Sequence, residues 1–329
     1  MKVGLYIFSL VLSVGLFAES DKAASLQELA KQAASAVPIG AEVPYQAKWT
    51  YTAYGPFTKV KQTVGTLDID YVSPVKWREY ITNDLGYAET HIQNGNDEFI
   101  KFVNAKVRPL REQQMLEPFE ALLRMGAETK SRPRKAKVDG NRADCFQTEA
   151  SIYAGEYCFD EGSLKLLSMT NSGVETRIFS WRKVGSRELP ERWEVRSGPH
   201  LLVKAELAEA SEQADTNEAL FRPPVGSVRH AALPNCPNRA FVGGRKTGGD
   251  VPQYPPIPRM NRESGRVVMA AKITPLGTID ELTVLESPGP AFDESALKAV
   301  RTWRYDPLKV CGQPMEVRTL ITVNYQIRR

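Results

Sequence analysis

The chain has 329 residues, which is enough for two domains of ordinary size and a connecting segment. Its formal net charge at pH 7 is +4, and its 43 Lys and Arg residues are scattered along the chain. Nucleic-acid-binding proteins typically concentrate basic residues on one surface, so this composition argues against nucleic acid as a partner.

The N-terminus has the pattern of an export signal. Lys2 precedes an apolar run over residues 3–18, and the polar residues Glu19, Ser20 and Asp21 follow at once. A basic start, a short apolar core and a polar continuation are typical of a secretory signal peptide, here residues 1–18. The run is shorter than the roughly 20 residues of a membrane span, so we expect a periplasmic protein. An uncleaved inner-membrane anchor facing the periplasm is the alternative.

Residues 19–42 are predicted to form a helical segment, because Leu26, Leu29 and Ala33 recur on one stripe. Extended patterns then predominate over residues 43–226, with runs at 46–54, 59–72, 76–82, 87–93 and 98–103. Asn94-Gly95 is a strong hairpin signal between the last two runs. One helix is predicted over residues 109–125, where apolar side chains recur at helical spacing: Leu110, Met115, Leu116, Phe119, Leu122 and Leu123. This region is therefore predicted to be a curved antiparallel sheet with one packed helix.

Four large aromatic residues, Trp77, Tyr80, Trp181 and Trp193, lie in these alternating strands. A packed core is the usual fate of such side chains. The curved sheet with an enclosed helix is also loosely similar to the fold of LolA-type lipoprotein carriers. That similarity implies an alternative function, in which the N-terminal domain carries a hydrophobic ligand or a lipoprotein.

Four cysteines in an exported chain predict disulfides, and four cysteines allow three pairings. Cys145 and Cys158 flank a hairpin-like stretch, Cys236 lies in the predicted linker, and Cys311 precedes the last strand. The economical pairing joins Cys145 to Cys158 and Cys236 to Cys311, and four free thiols are the alternative. A bridge from Cys236 would hold the linker beside the last strand.

Residues 227–250 are predicted to be a linker, because Pro, Gly, Asn and Arg predominate there without periodicity. The glycine-rich stretch over residues 243–249 resembles a phosphate-binding loop at first sight. Such a loop needs Gly directly before Lys-Thr and a helix after it. Arg245 stands before Lys246, and Asp250-Val251-Pro252 cannot begin a helix.

Catalytic and metal-binding patterns are not found. His91, His200 and His230 are far apart, without acidic or cysteine residues at ligand spacing. Asp68 and Asp70 are predicted to lie on a solvated sheet face. We therefore predict a protein that is not an enzyme and that uses no metal and no cofactor.

Residues 251–329 have the pattern β-β-α-β, so the fold class of the chain is predicted to be α+β. The first strand alternates at Val267, Met269, Ala271 and Ile273, and the second covers residues 279–286. Asp293 is the predicted N-cap of a helix whose apolar face is Ala296, Leu297, Val300 and Trp303, and Pro307 ends that helix.

The last strand, residues 316–327, alternates between an apolar and a polar face. The apolar face consists of Val317, Thr319, Ile321, Val323, Tyr325 and Ile327. The polar face consists of Glu316, Arg318, Thr322, Asn324 and Gln326, with Leu320 as the exception.

Several motifs occur in a fixed order in this region: Tyr254-Pro255, Arg259, Gly265, Trp303-Arg304-Tyr305 with Pro307, and Gly312-Gln313-Pro314. Their order and spacing resemble the C-terminal domain of the TonB family of energy transducers. Residues 73–79 (Ser-Pro-Val-Lys-Trp-Arg-Glu) and 157–160 (Tyr-Cys-Phe-Asp) resemble the N-terminal region of some exported TonB-family proteins.

The resemblance implies that the last strand offers its open edge to an extended peptide of an outer-membrane transporter, or to another extended protein segment. The partner-binding residues that it implies are Tyr254, Pro255, Gln313, Pro314, Glu316, Val317, Arg318, Thr319, Leu320, Ile321, Thr322, Val323, Asn324 and Tyr325. It also implies energy-dependent transport, with proton-motive-force motor proteins as partners if the N-terminus is an anchor. A force-transmitting member of the family resembles a long membrane-anchored rod, whereas this chain has a folded domain after its N-terminus. We therefore expect an exported binding module. A homodimer is left open.

Overall fold

The computed structural model describes residues 43–55, 63–124, 133–148, 155–171, 173–231 and 241–327. The predicted signal peptide, residues 1–18, and the predicted helical segment, residues 19–42, lie outside the described residues. In the described part of the chain, no helix combines the length and the apolar character needed to cross a bilayer.

The first part of the chain forms a 13-stranded antiparallel sheet, called here the N-terminal sheet. Its strands are β1 (Tyr45–Ala53), β2 (Thr63–Ser73), β3 (Lys76–Asn83), β4 (Ala88–Asn94), β5 (Asp97–Val103), β6 (Arg134–Val138), β7 (Asn141–Thr148), β8 (Gly155–Asp160), β9 (Leu166–Asn171), β10 (Val174–Val184), β11 (Arg187–Ser197), β12 (His200–Ser211) and β13 (Val228–Ala231). The spatial order is β13-β5-β4-β3-β2-β1-β12-β11-β10-β9-β8-β7-β6. Strands β3 to β5 end within one residue of their predicted bounds, and Gly95 has the positive φ that its turn requires.

The helix α1 (Leu110–Arg124) packs against the N-terminal sheet as predicted. Met115 and Phe119 are buried, and the Phe119 ring meets Trp193 edge-on at a centroid distance of 5.3 Å. Full burial of such an apolar side chain stabilises the fold by roughly 1.5–3 kcal/mol. Trp77 is buried as well, whereas Tyr80 and Trp181 are half-buried. The aromatic residues of these strands therefore contribute mainly to a packed core.

The prediction that Asp70 lies on a solvated face is wrong. Asp70 is 4% exposed, accepts a 2.8 Å hydrogen bond from Arg78 and a 2.9 Å bond from Gln46, and thus has partners that compensate its burial. Asp68 is half-buried and pairs with Lys48 at 3.6 Å.

A second buried ionic cluster lies on β3 and β4. Arg108 donates to Glu79 at 2.7 Å and to both carboxylate oxygens of Glu89 at 2.7 Å, and Tyr87 donates to Glu89 at 2.6 Å. His91 lies beside these carboxylates, so the prediction that it lacks acidic neighbours at ligand spacing is wrong. The guanidinium of Arg108 pairs with both carboxylates, so this cluster already contains a structural cation.

Cys145 and Cys158 face each other on β7 and β8 and form a disulfide. Cys311 is also disulfide-bonded. Its predicted partner, Cys236, lies outside the described residues, so that pairing stays a prediction.

Replacing both Cys145 and Cys158 with serine is expected to lower the free energy of unfolding by about 3 kcal/mol. The bridge closes a short loop, with a sequence separation of 13, and its loss raises the entropy of the unfolded chain. Urea titration of the wild-type and the double variant measures the difference. An unchanged transition midpoint would contradict a stabilising role for this bridge.

The C-terminal domain is a three-stranded antiparallel sheet with a helix on one face. Its elements are α2 (Pro256–Met260), β16 (Gly265–Ile273), β17 (Ile279–Glu286), α3 (Pro290–Val300) and β21 (Val317–Tyr325), and the strand order is β17-β16-β21. The α+β prediction is confirmed.

The prediction of Asp293 as N-cap is wrong, because α3 begins at Pro290 after Gly289 and Asp293 lies in its first turn. Proline suits this position, where its missing N–H has no partner to lose. Trp303 was predicted to lie on the apolar face of this helix, but it lies beyond the end of α3.

Within the predicted linker and the loops before β21 the structure has further short strands. They are β14 (Phe241–Val242), β15 (Lys246–Gly248), β18 (Arg304–Tyr305), β19 (Lys309–Val310) and β20 (Gln313–Pro314). Strand β14 pairs with β19 and strand β15 pairs with β18, so parts of residues 227–250 pair with segments of the C-terminal domain. Pairs this short have no sequence periodicity and depend on the tertiary contacts that bring them together.

Candidate functional site

Strand β21 lies at the edge of the C-terminal sheet. Along its nine residues it pairs with β16 in one continuous register, from Val317 opposite Ile273 to Tyr325 opposite Gly265. Among the described residues no strand pairs with its other side, which is called here the open edge of β21. The N–H and C=O groups on such an edge are available to another chain.

The apolar face of β21 anchors the strand to the domain. Ile321, Val323 and Tyr325 are buried against α3, as the alternation predicted. The Tyr325 ring lies 5.0 Å from Phe292 and 5.6 Å from Tyr254, and this aromatic cluster fixes the C-terminal end of β21.

The structure brings together only some of the predicted partner-binding residues. Tyr254 belongs to the aromatic cluster, and Pro255 is buried beside it, so both support the domain from within. Gln313 and Pro314 are exposed in β20, which leads into β21. Arg318 and Asn324 are exposed along the strand itself, and Glu316 is exposed directly before it.

The polar face of the sheet has a row of charges across its three strands. Lys272 of β16 lies opposite both Arg318 of β21 and Glu281 of β17. Its ammonium contacts Asp280 at 2.7 Å and Glu281 at 2.6 Å. These hydrogen bonds, first that to Asp280 and then that to Glu281, raise the pKa of Lys272, and the bond to Lys272 lowers the pKa of Glu281. Arg318 reaches Glu281 only at 3.4 Å, so it remains the loosely paired cation nearest to the open edge.

The Trp-Arg-Tyr motif stabilises the domain. The Trp303 indole donates a 2.8 Å hydrogen bond to the Asp250 carbonyl, and the Lys246 ammonium lies 3.8 Å above its ring. Tyr305 passes so close to Gly277 that a Cβ there would lie 1.9 Å from its carbonyl oxygen. These contacts hold residues 246–250, which lead into the C-terminal domain, against the Trp303 side chain.

A buried ion-pair cluster joins the two domains. The Glu286 carboxylate accepts from Arg111 Nη2 of α1 at 2.8 Å and from Arg266 Nε at 3.0 Å, and Arg266 also donates to Ser197 Oγ at 3.1 Å. Burial lowers the pKa of Arg111. Sequence reasoning missed this cluster, because its members are remote from one another in the chain.

The two domains also enclose a cleft of about 550 Å³. One wall comes from β4, β5, β13 and residues 107–113, and the other comes from β16, β17 and residues 308–320. The first half of β21 therefore lies in this cleft. Leu320, the exception on the polar face, is one of the residues that line it.

We expect His91, beside this cleft, to titrate above its ordinary pKa. Burial lowers the pKa of His91, but the charge of Glu98 and the hydrogen bond to it raise the pKa above 6.5, with further support from Glu79 and Glu89. The charged form is favoured by folding. The stabilisation of the folded state by charged His91 is therefore present below the unfolded-state pKa and is lost as the pH rises through the folded-state pKa.

The measurement is the free energy of unfolding between about pH 5.5 and pH 8.5, where histidine titrates. The wild-type protein should lose stability with rising pH, and Glu98→Gln should show a weaker dependence. Arg108 also faces this cluster, and it keeps its charge over the whole range. Identical slopes in the two proteins would show that Glu98 does not control the titration of His91.

Comparison with known proteins confirms the predicted resemblance. Residues 250–327 match the family described as Gram-negative bacterial TonB protein C-terminal. Protein TonB of Escherichia coli strain K12 is 32% identical over 83 residues, which are 25% of this chain and 34% of that protein. This chain thus spans about a third of the length of that relative.

Two solved structures are also similar. The TonB C-terminal domain of Pseudomonas aeruginosa has 29% identity and a TM-score of 0.24, over 26% of this chain and 87% of that one. A LolA superfamily protein of Nitrosomonas europaea has 9% identity and a TM-score of 0.39, over 61% of this chain and 98% of that one.

Proposed function

We propose that this chain is a periplasmic interaction protein whose C-terminal domain binds an extended peptide of an outer-membrane transporter by strand addition at the open edge of β21. The observation that carries the proposal is the unprotected character of this edge. It is supported by the family match over residues 250–327 and by the relative named protein TonB.

The two edges of the C-terminal sheet differ in the devices that prevent strand pairing. Strand β17 has two register irregularities against β16 and three acidic residues, Asp280, Glu281 and Glu286. Strand β21 has nine residues in continuous register, contains no proline and has one charged residue, Arg318. Natural proteins blunt exposed edges with bulges, charges and prolines. A long, regular edge without them fits a site for another strand.

We also propose a role in energy-dependent transport, which the same family match supports. This role needs a partner that couples the protein to the proton-motive force. Motor proteins of the inner membrane would supply that coupling if the N-terminus is retained as an anchor. Carriage of a hydrophobic ligand, the alternative from the sequence, has less support, since Met115 and Phe119 of α1 already pack against the sheet.

Backbone methylation of the peptide tests strand addition. Synthetic peptides covering the periplasmic N-terminal segments of outer-membrane transporters from the same bacterium are titrated into the full chain by calorimetry. A peptide that binds is then made in two forms, N-methylated at odd or at even positions. In an added strand only alternate N–H groups face β21, so the form that is methylated at those positions should bind more weakly than the other form.

The two methylated forms have the same side chains and the same number of methyl groups, so each is the control for the other. Equal binding by both forms would contradict strand addition. If none of the unmodified peptides binds, the transporter is not the partner.

A further inference from the structure

We infer that the N-terminal sheet provides a second wall of the peptide site, so that the bound segment lies in the cleft between β21 and the β5–β13 edge. This inference rests on the proposed function and adds the N-terminal sheet to the peptide-binding site at β21. The cleft volume of about 550 Å³ lies within the range of roughly 300–1,000 Å³ that is usual for ligand pockets.

Both walls of the cleft contain a strand edge. Strand β13 is the outermost strand of the N-terminal sheet on the side of β5, and Arg229 and His230 of β13 line the cleft. Strand β21 lines it with residues 317–320. Among the described residues neither strand has a neighbour on its outer side. Unpaired backbone groups on both sides suit an extended polypeptide, which has donors and acceptors along both of its edges.

Apolar side chains from both domains face the same space. Ile100 and Phe102 of β5 line the cleft and are half-buried, as is Leu320 of β21. A leucine on the polar face of β21 has no role in the packing against α3. Its position in the cleft indicates a binding role, because the side chain offers apolar surface to a bound segment.

The charges of the cleft are balanced. Four cationic side chains and four carboxylates line it: Arg108, Arg229, Lys272 and Arg318, with Glu89, Glu98, Glu281 and Glu316. A site for nucleic acid or for a phosphate group would show an excess of positive charge. Mixed charges with apolar side chains between them fit a protein segment.

The relative position of the two walls is held by buried ion pairs. Glu286 side-chain exposure is 7%, and those of its partners Arg111 and Arg266 are 11% and 13%. Such a buried cluster is costly to open by removing one partner. The cleft is therefore a preformed site, which lowers the entropic cost of binding.

The test compares two substitutions in β5 of the full chain, with the transporter peptide that binds the wild type. Ile100→Glu places a charge in the cleft and should weaken binding by about tenfold, because the apolar contact with the peptide is lost. Val103→Glu is the control, since Val103 is 43% exposed in the same strand and does not line the cleft. Its affinity should equal that of the wild type.

A spin label on the peptide gives a second measurement that needs no substitution. Amide signals of residues 98–102 and of residues 317–320 should both broaden. Broadening of residues 317–320 alone, with equal affinities in both variants, would overturn the second wall and leave strand addition at β21 intact. Broadening of neither segment would overturn the proposed function as well.

Discussion

Substituting Arg108 with methionine is expected to lower the free energy of unfolding by about 3–5 kcal/mol. Arg108 is 9% exposed, and it pairs with Glu79 and Glu89, each of which is 2% exposed. Methionine keeps much of the apolar volume of the side chain but removes all of its donors. Two buried carboxylates then lose the guanidinium that pairs with both of them, so the folded state must keep an uncompensated charge or take up a proton.

Urea unfolding followed by circular dichroism measures this effect, because the N-terminal sheet dominates the signal. Arg177→Met is the matched control. Arg177 pairs with Glu175 and Asp139 at the surface, where ion pairs contribute about 0–1 kcal/mol. A loss in Arg108→Met no larger than that in the control would contradict the structural role of the buried cluster.

The second large effect is expected for Phe292→Ala in the C-terminal domain. Phe292 is 2% exposed, and its ring contacts those of Tyr254 and Tyr325. Truncation of a buried phenylalanine costs about 3–5 kcal/mol. Since Tyr325 is the last residue of β21, we also expect this strand to fray and its peptide affinity to fall.

Hydrogen exchange of the β16 and β21 amides reports the local opening free energy. Met260→Ala is the control, because Met260 is 82% exposed and its truncation should change stability by no more than about 0.5 kcal/mol. If Phe292→Ala leaves β21 exchange unchanged, the aromatic cluster does not hold the strand.

Local patterns were sufficient to predict the elements that carry the proposed site. The period-two alternation over residues 316–327 gave the buried face of β21, because one side of that strand packs on a helix. The start of α3 was missed because Asp293 was predicted as its N-cap, whereas Pro290 occupies the first position of the helix.

Contacts between distant segments were not predictable from one sequence. Glu286 meets Arg111 across 175 positions of the chain, and no local pattern marks either residue. Leu320 was recognised as an exception in the alternation, but its place in the cleft depends on how the two domains meet. Asp70 was assigned to solvent because the sequence does not show that Arg78 lies across from it.

Hydrogen exchange of the β21 amides, with and without saturating transporter peptide, tests the central claim most directly. In the free chain the amides that face β16 should be protected, and the alternate amides on the open edge should exchange fast. Strand addition predicts that the peptide slows this second, alternate set. Binding that leaves the exchange of every open-edge amide unchanged would contradict the account.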